Sequence, residues 1–302
     1  MIENNEELEQ LTGKYYEYHY LDSMHYLNEK DDSTETIVVG SSYGLDGILC
    51  EFMNNSYNFC MHSQDLWYDG LHVQRALKNH SNIKNCVFCI GYYSFFYDLS
   101  QTVNNYKVAY TYEPLFNNTH HLFVPDDVKE NVKKELEQLA KREYYHEFYE
   151  NTPYFYNYLY DRSNVELVIF SKNGGWAYSP KEDRVNHALY RVSRHNKQKK
   201  YIATFKENVM YIEKIFQLLT LSGVNIYVVV APFSEEYLEV IDKEYKEIIF
   251  NVLQKSEYPV NYFDLNELAV FNDEDFMDSD HVNTLGGTKM TNLINEIISN
   301  SI

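Results

Sequence analysis

Two periods of apolar residues alternate along this chain. Thr36 to Val39 is a β-branched run that follows a polar, charged stretch and stops at Gly40-Ser41-Ser42, the profile of a buried parallel strand. From Gly44 to Asn54 the apolar residues Leu45, Ile48, Leu49 and Phe52 take the 3-4 spacing of an amphipathic helix. A second short strand is predicted at Tyr57 to Met61, a helix at about Leu66 to Lys78, and a third strand at Cys86 to Ile90. That strand ends at Gly91 and opens into the aromatic loop Tyr92-Tyr93-Ser94-Phe95-Phe96. Further on, Phe205, Val209, Ile212, Phe216 and Leu219 line one face of a long helix, and Gly223 is suited to end it in a left-handed conformation. Strand Val224 to Ala231, helix Glu235 to Gln254, strand Val260 to Leu265, an acidic loop and a terminal helix from about Gly287 to Ser299 complete the pattern.

Strands alternating with helices through short links predict an α/β fold: a three-layer α/β/α sandwich with a mainly parallel, flavodoxin-like sheet, as one domain over residues 1–302. Residues 97–200 interrupt the rhythm with a helix from Asp126 to Arg142, a Tyr-crowded stretch and a possible strand at Val165 to Phe170. They read as a large, mostly helical insertion after the third strand. Such an insertion is expected above the carboxyl edge of the sheet, where open α/β folds bind ligands, as a cap over a cleft.

Composition narrows the class. With 302 residues, 44% hydrophobic and 16% aromatic, the chain is long and apolar enough to bury a substantial core. The aromatics are mostly its 30 Tyr, which suit a cleft that binds sugars but more simply follow from AT-rich coding. Forty-five acidic against 26 basic side chains give a formal net charge of −19, which disfavours nucleic acid and anionic membranes as partners. No run of about 20 apolar residues predicts a membrane span, and Met1 to Lys14 is acidic, without the basic start and apolar stretch of a secretory signal. Cys50, Cys60, Cys86 and Cys89 form no evenly spaced disulfide framework, so a reducing, cytoplasmic setting is expected.

The candidate chemistry lies at the two ends of the α/β pattern. Gly40-x-Ser42, at the end of the first strand and the mouth of its helix, sets a hydroxyl beside backbone amides able to stabilise an oxyanion. Taken alone, such a Gly-Ser-Ser is more often a turn or helix cap. Near the C-terminus, Asp278-Ser279-Asp280-His281 precedes a helix, and an Asp three residues ahead of a His can turn back onto the imidazole while the other ring nitrogen faces a serine. Together the two motifs resemble the SGNH, or GDSL-like, hydrolase and acyltransferase superfamily, and within it the branch that modifies bacterial surface polysaccharides and teichoic acids. The resemblance covers the α/β parts and not the insertion.

The resemblance implies Ser42 as nucleophile, with Ser41 as its close competitor, Asp278 as the acid and His281 as the base. It also implies further oxyanion donors from a Gly and an Asn, for which this chain offers Gly70 and, at Gly91-Tyr92-Tyr93-Ser94, no Asn. Gly91 and Ser94 then stand as the candidates there. The implied function is a serine esterase or O-acyltransferase working through an acyl-enzyme, with an O-acylated or acyl-accepting carbohydrate as substrate. The rival is an SGNH-fold binding or accessory protein whose chemistry has lapsed.

Other motifs carry less. Cys86-x-x-Cys89 lies within a strand, where residues three apart face opposite ways, so the pair reads as buried hydrophobes. His62, His72, His80, His120 and His121 lack metal-ligand spacing, and Gly174-Gly175 lacks the rest of a nucleotide-binding loop, so neither metal nor cofactor is expected. The basic cluster Arg191, Arg194, His195, Lys197, Lys199 and Lys200 reads as a solvated surface, or as a site for an anionic donor.

Overall fold

The structure is a computed structural model, and it describes residues 33–140 and 175–300 together with Ser23. Five strands form one parallel sheet: β1 (Thr36–Gly40), β2 (Ser56–Asn58), β3 (Asn85–Ile90), β4 (Asn225–Val230) and β5 (Val260–Asp264). Their order is β2-β1-β3-β4-β5, the flavodoxin-like arrangement, with Gly40 in register with Cys89, Ile90 with Val230, and Val230 with Asp264. Every residue of β1 and β3 is buried. Cys86 and Cys89 are therefore covered although they face opposite sides of the sheet, and both thiols are free.

The helices are α1 (Ser42–Gly47), α2 (Leu66–Asn79), α3 (Glu113–Phe116), α4 (Asp126–Ala140), α5 (Lys181–Asn196), α6 (Ile202–Leu221), α7 (Glu235–Val240), α8 (Glu244–Gln254) and α9 (Thr284–Asn300). The chain steps one way from β1 to β2 and the other way from β2 through β5. With right-handed crossovers this change of direction puts α1 and α2 on opposite faces of the sheet. In agreement, α2 packs on α6 and α1 packs on α9. The order reverses between β1 and β3, so the carboxyl ends of these strands flank a crevice, and Ser42 and Gly91 follow them directly.

Three elements differ from the hydrophobic pattern. The helix predicted over Gly44 to Asn54 stops at Gly47. The Asn58 amide donates to the carbonyls of Gly44 and Ile48, and the Leu49 N–H leaves the helical ladder for the Thr291 hydroxyl of α9, 2.9 Å away. The helix predicted over Glu235 to Gln254 divides in two. The Asp242 N–H donates to Asn196 at 3.1 Å while its carboxylate accepts from the N–H of Glu244, so this Asp ends one helix path and starts another. The strand predicted at Tyr57 to Met61 is only Ser56–Asn58, and the possible strand at Val165 to Phe170 lies outside the described residues.

The described residues divide into two compact units, one holding 99–140, the other 33–98 and 175–300. In the first, a π-helical turn at Val108–Tyr112 runs into α3, and Lys129 of α4 pairs with Glu113 at 3.4 Å. The second holds the sheet. The span expected as an insertion over 97–200 is thus split: α5 packs on α7 within the sheet-bearing unit, and Trp176 joins Phe276 and Val282 in a small apolar cluster there. Several tyrosines serve this unit's core, Tyr68, Tyr227, Tyr237 and Tyr245 being among its largest fully buried side chains. No helix among the described residues is long and apolar enough to cross a membrane.

Candidate active site

Ser42 owes its position to a backbone that only glycine adopts readily. Gly40 has φ +148, and a Cβ there would overlap the Cys89 carbonyl of the neighbouring strand. The chain can therefore leave β1 abruptly and turn into α1. The Gly40 N–H is held by the carboxyl of Asp69, which also accepts from the Gln64 amide at 2.7 Å. Burial outweighs these hydrogen bonds and pushes the Asp69 carboxyl well above its usual range.

The partner loop is folded by its own aspartate. Phe276 and Val282 form an antiparallel bridge, and between them the Asp278 Oδ1 accepts from the N–H groups of Asp280 and His281, each at 2.8 Å. This turn brings the carboxylate back onto the ring: His281 Nδ1 lies 3.0 Å from both Asp278 oxygens. In the neutral ring Nδ1 thus carries the proton and donates to Asp278, and Nε2, 2.8 Å from the Ser42 Oγ of a residue 239 positions away in the chain, is left to accept.

The other candidates from the sequence fare differently. The Ser41 hydroxyl is buried and has no hydrogen-bond partner among the described residues, so of the two serines Ser42 reaches the imidazole. Gly70 is not brought to the serine turn as an oxyanion donor. It lies inside α2, where a helix commits its amide to the carbonyl four residues back, and its Cα faces the Tyr211 ring of α6. The Gly91 N–H donates to the Ser94 Oγ at 3.0 Å, while the Ser94 N–H donates to the Gly91 carbonyl. These two residues spend those bonds on each other. A Cβ at Gly91 would overlap the Tyr43 ring, so this glycine makes room for that ring beside the site.

Four further residues lie at or behind the imidazole, among them Asp280 of the acidic motif and Arg191 and His195 of the basic cluster, none of which the sequence assigned a part in this site. Tyr43 stacks on His281, with ring centroids 5.2 Å apart at 30°, and its hydroxyl donates to Asp280 at 3.2 Å. Asp280 is fully buried and is gripped by Arg191 of α5, Nε to Oδ1 at 2.8 Å and a terminal nitrogen to Oδ2 at 2.6 Å. His195, one turn further along α5, bonds through Nδ1 to the Tyr237 hydroxyl at 2.7 Å and stacks on Tyr93. Burial alone would lower the imidazole of His281, but Asp278 and Asp280 outweigh it and raise it to about 9. Burial also opposes the charge of Asp280, yet His281 and Arg191 hold its carboxyl well below the usual range. His195 is pushed down to about 3, chiefly by burial, and stays neutral.

The comparisons stand beside this geometry. No protein-family model matches the chain, and no curated protein does. It is similar to several solved structures at very low sequence identity. One is a proposed platelet activating factor from Streptococcus pneumonia, with TM-score 0.44, 10% identity, and 97% of this chain and 99% of that one covered. A proposed acylhydrolase from Bacteroides fragilis has TM-score 0.42 and 10% identity, with 94% and 95% covered. A GDSL-like lipase from Bacteroides thetaiotaomicron has TM-score 0.44 and 9% identity, with 95% and 98% covered.

Asp278, Asp280 and His281 place ligand-type atoms within 4.8 Å of one another, as a metal site would. Each is already engaged, however: Nδ1 with Asp278, and Asp280 with Arg191, so a cation would have to displace the guanidinium. The basic cluster disperses in the same way. Arg191 turns inward to Asp280, Arg194 bonds the Tyr190 hydroxyl, Lys199 pairs with Asp242 and Glu244, and Lys200 lies over the Tyr201 ring.

Proposed function

We propose that this chain is a serine hydrolase of the SGNH type, cleaving or transferring an acyl group through Ser42, His281 and Asp278. What supports the reading is the 2.8 Å contact from Ser42 Oγ to His281 Nε2, with Nδ1 of the same ring held by a carboxylate at 3.0 Å. Neutral His281 takes the Ser42 proton as Oγ attacks an ester carbonyl. The tetrahedral intermediate collapses as His281 returns that proton to the leaving alkoxide. Water or a sugar hydroxyl, deprotonated in turn by His281, attacks the acyl-enzyme, and His281 returns that proton to Ser42 Oγ as the acyl group departs, so hydrolysis and O-acyl transfer differ only in the attacking hydroxyl. Asp278 fixes the orientation of the ring throughout. The Ser42 amide supplies the first oxyanion donor.

The substrate class in this reading is an O-acylated or acyl-accepting carbohydrate, handled in the cytoplasm. Four free, buried thiols suit a reducing compartment. A fluorophosphonate probe is expected to label the wild type and not Ser42→Ala, and p-nitrophenyl acetate turnover is expected to fall to the background rate in the same variant. Equal labelling and equal turnover would sink the proposal. A second reading, a binding or accessory protein on the same scaffold, is favoured by the mutual bonding of Gly91 and Ser94, which leaves the oxyanion without the donors expected there. It predicts an unlabelled wild type.

A further inference from the structure

Behind His281 lies a second charged pair that the proton transfers above do not use. Asp280 directly precedes the histidine, has no exposed surface, and sets Oδ1 3.9 Å from the His281 Nδ1. That distance is too long for a hydrogen bond and short enough for a strong Coulomb attraction in a water-poor site. Its oxygens take three bonds from Arg191, at 2.8, 3.1 and 2.6 Å, one from the Tyr43 hydroxyl at 3.2 Å and one from the Ser279 hydroxyl at 3.3 Å. Tyr43 in turn lies flat against the imidazole. One connected unit therefore runs from α5 through the carboxylate and the tyrosine to the ring.

We propose that Arg191 and Asp280 act as a positioning pair for His281: the guanidinium holds a buried carboxylate beside the ring and so sets the pH at which His281 accepts the Ser42 proton. The proposal rests on reading Ser42, His281 and Asp278 as a triad. Its physical basis is that the two members act in opposite directions. A carboxylate near the ring favours imidazolium, which is useless as a base, whereas a guanidinium that neutralises this carboxylate shifts the balance back toward neutral imidazole. The groups facing His281 are Asp278 and Asp280 from its own loop, Ser42 and Tyr43 from α1, and Arg191 from α5. Behind them stand Tyr93, His195 and Tyr237. Among these, Asp280 and Arg191 are the charged members beyond the triad itself, since His195 stays neutral.

The test is to titrate His281 by NMR through its ring Cε1–H signal, and to record kcat/KM against pH with p-nitrophenyl acetate, in the wild type, Asp280→Asn, Arg191→Gln and the double variant. Asp280→Asn keeps the shape of the site and is expected to move the midpoint down by about one pH unit. Arg191→Gln is expected to move it up, and the double variant to return it close to the wild type. Arg191→Gln also strands a buried carboxylate, which is costly enough to threaten folding. In that event Asp280→Asn and the charge-balanced double variant decide the matter. A midpoint in Asp280→Asn within about 0.2 pH units of the wild type, or shifted upward, overturns the proposal. Because NMR reads the ring without turnover, a wild type that resists the phosphonate probe would count against the triad alone and leave the titration to judge the pair.

Discussion

His281 is both the base of the proposed reaction and a group that its surroundings prefer to keep protonated. With the imidazole raised to about 9 against burial by Asp278 and Asp280, most of it carries a proton at neutral pH, and only the neutral fraction can take the proton of Ser42. The sign follows directly: kcat/KM for p-nitrophenyl acetate is expected to rise about tenfold per pH unit from pH 6 and to level off near pH 9, as the base deprotonates. A profile already flat above pH 7 would show that the ring is not held as these distances require. At this scale the sequence was informative where spacing is local. Asp278 and His281 sit three apart, so their turn is implicit in the motif, and Gly40 announces the bend before Ser42. Arg191 and Asp280 are 89 residues apart, one inside a basic cluster and the other inside an acidic loop, and no local pattern ties them together.

Among the elements, the sharp exit from β1 bears most on the site. Gly40→Ala would place a methyl group against the Cys89 carbonyl, which belongs to β3 and cannot move without disturbing the sheet, and would hold alanine at a φ it rarely adopts. A loss of about 2–5 kcal/mol is expected from the strain and overlap together, read as a lowered urea midpoint. An unchanged midpoint would mean that the turn relaxes in a way the register of β1 and β3 does not permit. The same contrast explains which elements could be read from the chain. Central strands β1, β3 and β4 are continuous apolar runs because both faces are covered, and the 20 residues of α6 carry an apolar stripe of ordinary helical period. The early end of α1 and the break between α7 and α8 were not legible. Their causes, Asn58, Thr291 and Asn196, are tertiary partners that periodicity cannot register. Gly70 misled for the complementary reason: a glycine needed for a helix to approach the Tyr211 ring looks, in one dimension, like any other glycine.

For the molecule as a whole, one buried histidine links the site's surroundings to stability. His195 is lowered to about 3, mainly by burial, so the unfolded chain gains a proton below about pH 6.5 that the folded chain refuses. The folded state therefore loses stability as pH falls from about 6.5 toward 3, by on the order of 1.4 kcal/mol per unit through that window. Urea unfolding at pH 7 and pH 5 is expected to show about 1 kcal/mol less stability at the lower pH, about 2 kcal/mol lost through His195 against about 1 kcal/mol gained through His281, and His195→Gln is expected to abolish the loss. An equal drop in the variant would assign the acid sensitivity to other groups. His281 acts the other way at the upper end of that interval, because near pH 7 its folded form keeps a proton that the unfolded chain has largely lost. Its raised value instead favours folding at low pH, and this contribution fades as pH climbs toward 9.

The 239 positions that separate Ser42 from His281 also impose a timetable on the ribosome. At about 5–20 residues per second, the nascent polypeptide displays its serine for roughly 10–50 seconds before the histidine is even synthesised. The loop that bears His281 then has to be anchored by the final helix of the described chain. Until then the proposed nucleophile is a plain alcohol without its proposed base, and a product terminated before His281 would be expected to be as inert toward esters as a free serine.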